Sequence, residues 1–185
     1  IISPELSGKR IELLKEAVPR LGRLAVLWNP ANPTHAMALR SSEATAKVLG
    51  LQTVPVPVQA PPHVDGAFAT LTRERATAIF VLDDAILFIE RERISKLAIK
   101  NRLPLVSGIS GYADAGALMT YGARQTDLYN RAAIIVNRIL KGAKPANLPI
   151  ERPSRFDLVV NLKTAKSLSL ALSDSVLWRA DRLIE

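Results

Sequence analysis

The sequence predicts an α/β fold, a mostly parallel flavodoxin-like or Rossmann-like sheet flanked by helices. Three observations carry this reading. Short apolar runs alternate along the chain with segments of helical period, which implies right-handed crossovers between parallel strands. "LAVLW" (24–28) and "AIFVL" (78–82) are apolar without interruption, as strands covered on both faces are. The chain has 185 residues and nearly half are apolar, enough for one well-filled domain or for one domain and a piece of another.

Taken in order, Ser3-Pro4 suits the cap and first turn of a helix that carries Ile11, Leu14 and Val18 on one face and ends before Pro19. Arg23 to Trp28 reads as a buried strand. Thr34 suits the cap of a second helix ending at Gly50, and Val54, Val56 and Val58 then alternate as a strand does. Pro55 and Pro57 cannot donate to a ladder, so that strand belongs at an edge. Val64, Ala67, Phe68 and Leu71 recur at the spacing of a third helix. After "AIFVL", Asp84 suits the cap of a helix whose buried side includes Leu87, Ile94, Leu97 and Ala98.

"LPLVS" (103–107) and "ALMTY" (117–121) read as two more strands joined by the loop "GISGYADAG". Leu128, Ala132, Ile135, Val136, Ile139 and Leu140 mark a long helix that Gly142 stops. "AKPANLP" leads to a further strand, "FDLVVN" (156–161). Two short helices are expected to finish the chain, the last built on Val176, Ala180, Leu183 and Ile184. There is no internal repeat.

Composition narrows the function. No cysteine is present, which excludes disulfides, thiolate metal ligands and thiol nucleophiles. The two histidines, His35 and His63, stand at no ligand-like spacing, and no metal or other cofactor is expected. The net charge of +8 is spread among acids, as in the stretch 90–102, and reads as a basic solvated surface; nucleic acid is not an expected partner. No apolar run reaches the roughly 20 residues of a membrane helix, and no signal-peptide pattern opens the sequence. The first residue is not Met, which leads us to expect that a preceding segment has been removed.

In an open parallel sheet, ligands sit beyond the carboxyl ends of the strands. That rule selects Asn29, Asn32 and Thr34 after the first strand, Asp83 and Asp84 after the third, and Ser107 and Gly108 after the fourth. These are short polar groups beside a helix N-terminus, suited to a small ligand with charged ends. Each also has an ordinary structural use. Asn-Pro pairs form turns, and Thr34 and Asp84 are common N-cap types. Tyr112, Tyr121 and Trp28 read as packing residues. No nucleophile elbow and no phosphate-binding loop is present, so no catalytic residue is assigned and the chain reads as a binder rather than an enzyme.

Three stretches carry a resemblance: "LSGKRIELLKEAVPRLGRLAVLWNPANP", "FVLDD", and "GALMTYGARQTDLYNRAAIIVNRILKGAKPANLPIERPSRFDLVVNLKTAKSL". Together they closely resemble the substrate-binding proteins of ABC importers of the tryptophan and tyrosine type. The likeness spans nearly the whole chain. It departs at "LSLALSDS" (168–175), where family members commonly carry Leu-Gly-Leu followed by a proline pair, which puts that local turn in doubt.

The resemblance implies one lobe of a type I periplasmic-binding fold, with the first lobe missing. Residues 1–20 would form the inter-lobe crossing helix, 21–123 the second lobe, 124–149 a returning helix and linker that packs on the missing lobe, and 150–185 the closing strand and helices. It further implies a small-molecule solute, an amino acid and possibly an aromatic one, delivered to a membrane permease. The location implied is periplasmic, or lipid-anchored at the outer face of the cytoplasmic membrane. Asn29 to Thr34 and Asp83-Asp84 would lie on the cleft wall, with Asp83 accepting from a ligand ammonium. The competing readings are a ligand-sensing regulatory domain on the same fold and a small enzyme using Asp83. With its usual cover absent, the helix at 126–141 is expected to drive self-association.

Overall fold

The computed structural model describes residues 4–185 and their side chains from Leu6 onward. The expected capping role of Ser3 lies outside the described residues. The helix that follows it, α1, spans Pro4–Ala17, and the first strand β1 spans Arg23–Trp28. Then come α2 (His35–Val48), β2 (Gln52–Pro57), α3 (His63–Arg73) and β3 (Ala78–Val81). The middle of the chain holds α4 (Ala85–Ile89), α5 (Arg91–Lys100), β4 (Leu105–Ser107), α6 (Gly111–Asp114) and β5 (Met119–Ala123). It closes with α7 (Gln125–Leu140), β6 (Phe156–Asn161), α8 (Leu162–Ser167), α9 (Asp174–Trp178) and β7 (Arg182–Ile184).

The seven strands form one sheet in the order β2-β1-β3-β4-β5-β6-β7. All neighbours are parallel except β5 and β6, whose antiparallel register pairs Met119 with Val160 and Ala123 with Phe156. Alternation along β1 explains its unbroken apolar run. Leu24 and Val26 face one layer with Ile11 and Leu14 of α1 and Ala38 of α2. Ala25 and Leu27 face the other, with Phe68 of α3, Leu87 of α4, Ile94 of α5 and Tyr112 of α6. A residue on either face therefore has to be apolar. At the edge, Pro55 and Pro57 pair only with β1, and no second strand needs the donor they lack.

Four expectations need correction. The helix expected after Asp84 is two helices, broken at Glu90, because α4 ends after five residues and α5 starts afresh at Arg91. The loop at 108–116 contains the short helix α6, which Tyr112 anchors by donating its hydroxyl to the Leu87 carbonyl. Thr34 sits at the cap position of α2 but in helical backbone, without a capping side-chain bond. Leu183 and Ile184 do not extend the last helix. It stops at Trp178, Asp181 accepts from the Leu158 amide at 2.8 Å, and 182–184 joins β6 as the parallel edge strand β7.

Helix α7 stands apart from the rest. None of its 16 residues is buried, and Tyr129, Val136 and Leu140 are at least half exposed. The chain leaves the carboxyl end of β5 to make α7 and returns to the same end of the sheet at the start of β6, where Arg124 and Asp157 pair at 2.6 Å. Residues 124–155 are thus an excursion beyond the carboxyl edge of the sheet. No helix among the described residues is long and apolar enough to cross a membrane.

Candidate functional site

The carboxyl ends of β1, β3, β4 and β5 form a rim built from four loops, and side-chain hydrogen bonds tie these loops to one another. After β1, the Asn29 amide donates to Nδ1 of His35 at 2.9 Å. That bond makes Nδ1 an acceptor, so the imidazole proton sits on Nε2 and is donated to the Asp83 carbonyl oxygen, 3.1 Å away. His35 is fully buried in this bridge and joins the loop after β1 to the loop after β3.

Both asparagines of the Asn-Pro pairs turn the chain and bind across it. Oδ1 of Asn29 accepts from the Ala31 amide at 3.0 Å, and Oδ1 of Asn32 accepts from the Thr34 hydroxyl at 2.7 Å. The amide nitrogens point the other way, to Asp84: Nδ2 of Asn32 donates at 3.0 Å and Nδ2 of Asn29 at 3.3 Å. Asp84 also caps α4, accepting from the Ile86 amide at 2.9 Å and the Leu87 amide at 3.4 Å. Burial pushes its carboxyl upward, but the Asn32 amide, the two backbone amides and Asn29 outweigh it and hold Asp84 below the usual aspartate range. Its lone pairs are committed, and Asp84 is first of all the keystone between the two loops.

Asp83 belongs to a second cluster. One oxygen accepts from Arg10 at 3.1 Å and the other from the Gly108 amide at 3.1 Å. Arg10, on α1, also donates through Nε to the Tyr121 carbonyl at 2.7 Å. The side chain of Arg10 is only 6% exposed and that of Asp83 is 19% exposed, so the pair is mostly out of water with one flank of the carboxylate open. Two glycines make room for it. A Cβ on Gly108 would fall 1.9 Å from the Arg10 guanidinium, and one on Gly122 would fall 1.8 Å from the Gly108 carbonyl oxygen.

Of the seven residues selected from the sequence, Asn29, Asn32 and Asp84 thus meet in one network, and Gly108 donates to Asp83. Asp83 lies beside it, held by Arg10, and Thr34 hangs from Asn32 on the exposed side. Ser107 is brought to the same strand ends but turned inward. It is fully buried opposite Thr120 in the β4–β5 register, and neither hydroxyl has a hydrogen-bond partner among the described residues. Arg10 and His35 escaped sequence reasoning as parts of the rim. For Arg10 a signal existed: it falls on the Ser7, Ile11, Leu14 stripe of α1, where a charge needs a buried partner. Among the described residues no group of three His, Cys, Asp or Glu is placed to hold a metal ion.

The rim presents the N-terminus of α2, the exposed Thr34, the open flank of Asp83 and the loop after β4. A groove of about 210 Å³ lies on the same side of the sheet, between α7 and residues 151–155, with Leu128, Ala132, Ile135 and Pro153 between arginines.

A family model described as ABC transporter substrate binding protein matches residues 4–184. The chain is 22% identical over 162 residues to the tyrosine-binding protein of Clostridioides difficile (strain R20291), covering 88% of this chain and 47% of that protein. Among solved structures, a conserved domain protein from Vibrio cholerae matches with a TM-score of 0.88 at 23% identity, over 96% of this chain and 60% of its own. The ABC domain in complex with L-Trp from Streptococcus pneumoniae matches with a TM-score of 0.87 at 22% identity, over 96% of this chain and 62% of its own. The chain therefore spans about half to three-fifths of the length of these relatives.

Proposed function

Because the chain belongs to the ABC transporter substrate-binding protein family, we propose that it is one lobe of a solute receptor that closes on an amino acid, an aromatic one, and delivers it to a membrane permease. The observation that carries this reading is the rim. Short polar groups converge at the carboxyl ends of three adjacent strands, next to an excursion, 124–155, whose apolar helix buries none of its residues. A second body seated on that excursion would stand opposite the rim and enclose a cleft, which is how a soluble receptor buries most of a small solute.

In this scheme 1–20 is the crossing helix, 21–123 the lobe proper, 124–149 the returning helix and 150–185 the closing segment. Asn29, Asn32, Asp84 and Ser107 shape the wall from within. Thr34 and the open flank of Asp83 face the solute, Asp83 accepting from its ammonium. The receptor works outside the cytoplasmic membrane, free in the periplasm or held by a lipid anchor, and performs no chemistry on its solute. Taken alone, residues 1–185 self-associate through the apolar face of α7.

Native mass spectrometry of the full-length protein as purified, followed by calorimetry with L-tyrosine and L-tryptophan, tests the reading. A retained amino acid, or saturable one-to-one binding of either probe that weakens in Asp83→Ala, is the expected result. A full-length protein that binds neither probe, while retaining a different class of small molecule, overturns the amino-acid assignment.

A further inference from the structure

Arg10 is the one described residue whose side chain reaches the ends of both β3 and β5 at the rim, and it does so from a helix rather than from a rim loop. Its guanidinium is a planar fork. Nε is committed to the Tyr121 carbonyl at 2.7 Å, and one terminal nitrogen to Asp83 at 3.1 Å. The other Asp83 oxygen takes the Gly108 amide at 3.1 Å, so the ends of β3, β4 and β5 are fixed relative to one another by one cation and one carboxylate. Asp83 passes the constraint on through its own carbonyl, which receives Nε2 of His35, and His35 in turn holds the Asn29 amide.

The packing is shaped to this arrangement. A side chain at Gly108 would collide with the guanidinium, and one at Gly122 would collide with Gly108. Gly122 lets the ends of β4 and β5 approach closely, and Gly108 keeps clear the room that the Arg10 guanidinium occupies.

From this geometry we propose that Arg10 is the positioning residue of the rim. It does not touch the solute; it aims the open flank of Asp83 and sets the place of the Gly108 loop, so the affinity of this wall depends on α1. A lysine cannot replace it, because a single ammonium on a flexible stem lacks the fork that serves Tyr121 and Asp83 together. The solute arm of the test below rests on the receptor function proposed above; the amide arm does not.

The experiment uses the full-length protein and its Arg10→Gln, Arg10→Lys and Asp83→Asn variants. In the amide arm, hydrogen exchange at Gly108 is expected to accelerate at least about tenfold in Arg10→Gln and in Asp83→Asn, while Ile79 and Val106 in the strand interiors keep their protection. Arg10→Lys is expected to resemble Arg10→Gln rather than wild type. In the solute arm, calorimetry with L-tyrosine and L-tryptophan well below the melting temperature is expected to show about a tenfold loss in each variant. The double variant Arg10→Gln/Asp83→Asn should be no worse than the singles, because the two act as one unit.

Unchanged Gly108 exchange in Arg10→Gln overturns the proposal, and so does full rescue by lysine. If Arg10→Gln fails to fold, Arg10→Lys, which keeps the charge but lacks the fork, decides by the same amide. A wild-type protein that binds neither probe removes the aromatic amino-acid reading and leaves Arg10 to be judged by Gly108 alone. Faster exchange at Gly108 with unaltered affinity for a probe that wild type binds reduces Arg10 to a structural residue and sinks the positioning role.

Discussion

Gly122→Ala is the substitution for which the structure dictates the sharpest consequence. The added Cβ would lie 1.8 Å from the Gly108 carbonyl oxygen and 2.9 Å from its carbonyl carbon. Both partners are backbone, so no side-chain rotation relieves the clash; one strand end has to move by about 1.4 Å to restore van der Waals contact. Overpacking of this kind costs about 1–3 kcal/mol. The displacement also breaks the Gly108 to Asp83 hydrogen bond, worth about 1 kcal/mol. The sum, about 2–4 kcal/mol, corresponds to a fall in melting temperature of about 10 °C for a chain of this size. Urea denaturation followed by far-ultraviolet circular dichroism measures it. Gly66→Ala is the matched control. Gly66 lies inside α3 with nothing near its Cβ position, so alanine there should stabilise by about 0.5–1 kcal/mol. Opposite signs at the two glycines are the expected result. A Gly122→Ala variant within about 0.5 kcal/mol of wild type would mean that the ends of β4 and β5 do not approach as described.

Other perturbations test the remaining parts of the rim and of α7. Asp84→Ala removes the α4 cap and leaves the Asn29 and Asn32 amides without their acceptor, for an expected loss of about 2 kcal/mol by denaturant titration. Its folded-state carboxyl is held below the unfolded value of about 3.9, so Asp84 adds stability above that pH and loses it as pH falls through the folded value. The stability gap between wild type and Asp84→Ala should therefore be constant near neutrality and close on acidification below about pH 4; a gap that widens there would reverse the sign argued here. In sedimentation across a concentration range, residues 1–185 should associate and Ile135→Glu should abolish it. A monomer at every concentration would show that the α7 face does not serve as a contact between copies.

The parts of the fold legible in the sequence are those where one physical demand acts alone. A strand buried on both faces has to be apolar throughout, and β1 and β3 read so. Prolines tolerate only an edge, and β2 is at the edge. The break between α4 and α5 was hidden because Leu87, Ile94 and Ala98 keep a near-helical spacing across Glu90, and periodicity cannot register a local unwinding that leaves the buried face in phase. The strand β7 was hidden because Leu183 and Ile184 also continue the period of the preceding helix. What decides for a strand is the Asp181 carboxylate on the Leu158 amide, a contact between residues 23 apart in sequence. At the rim, residue type and strand end were enough to select six groups that meet or adjoin, Asn29, Asn32, Thr34, Asp83, Asp84 and Gly108. They could not tell that Asn29, Asn32 and Asp84 spend their hydrogen bonds on one another, since that depends on two loops 52 or more residues apart in the chain.

That internal commitment bears on how this wall can recognise anything. A polar group buried without a partner costs about 1–3 kcal/mol, so a rim of free asparagines and aspartates waiting for a solute would burden the unliganded protein. At the two aspartates that burden is relieved, because Asp84 accepts from four neighbours and Asp83 from two. The same saturation makes the wall rigid, so that a solute meets groups already in place and little ordering entropy is lost on binding. In the receptor proposed above, selectivity would then come from the few directions left open, the Thr34 hydroxyl and one flank of Asp83, and from whatever stands opposite. Such a wall would orient a solute and leave most of its burial to the facing surface. It follows that changes at Asp83 should alter which solutes bind more than changes at Asn29 or Asn32, whose loss should be felt first as stability.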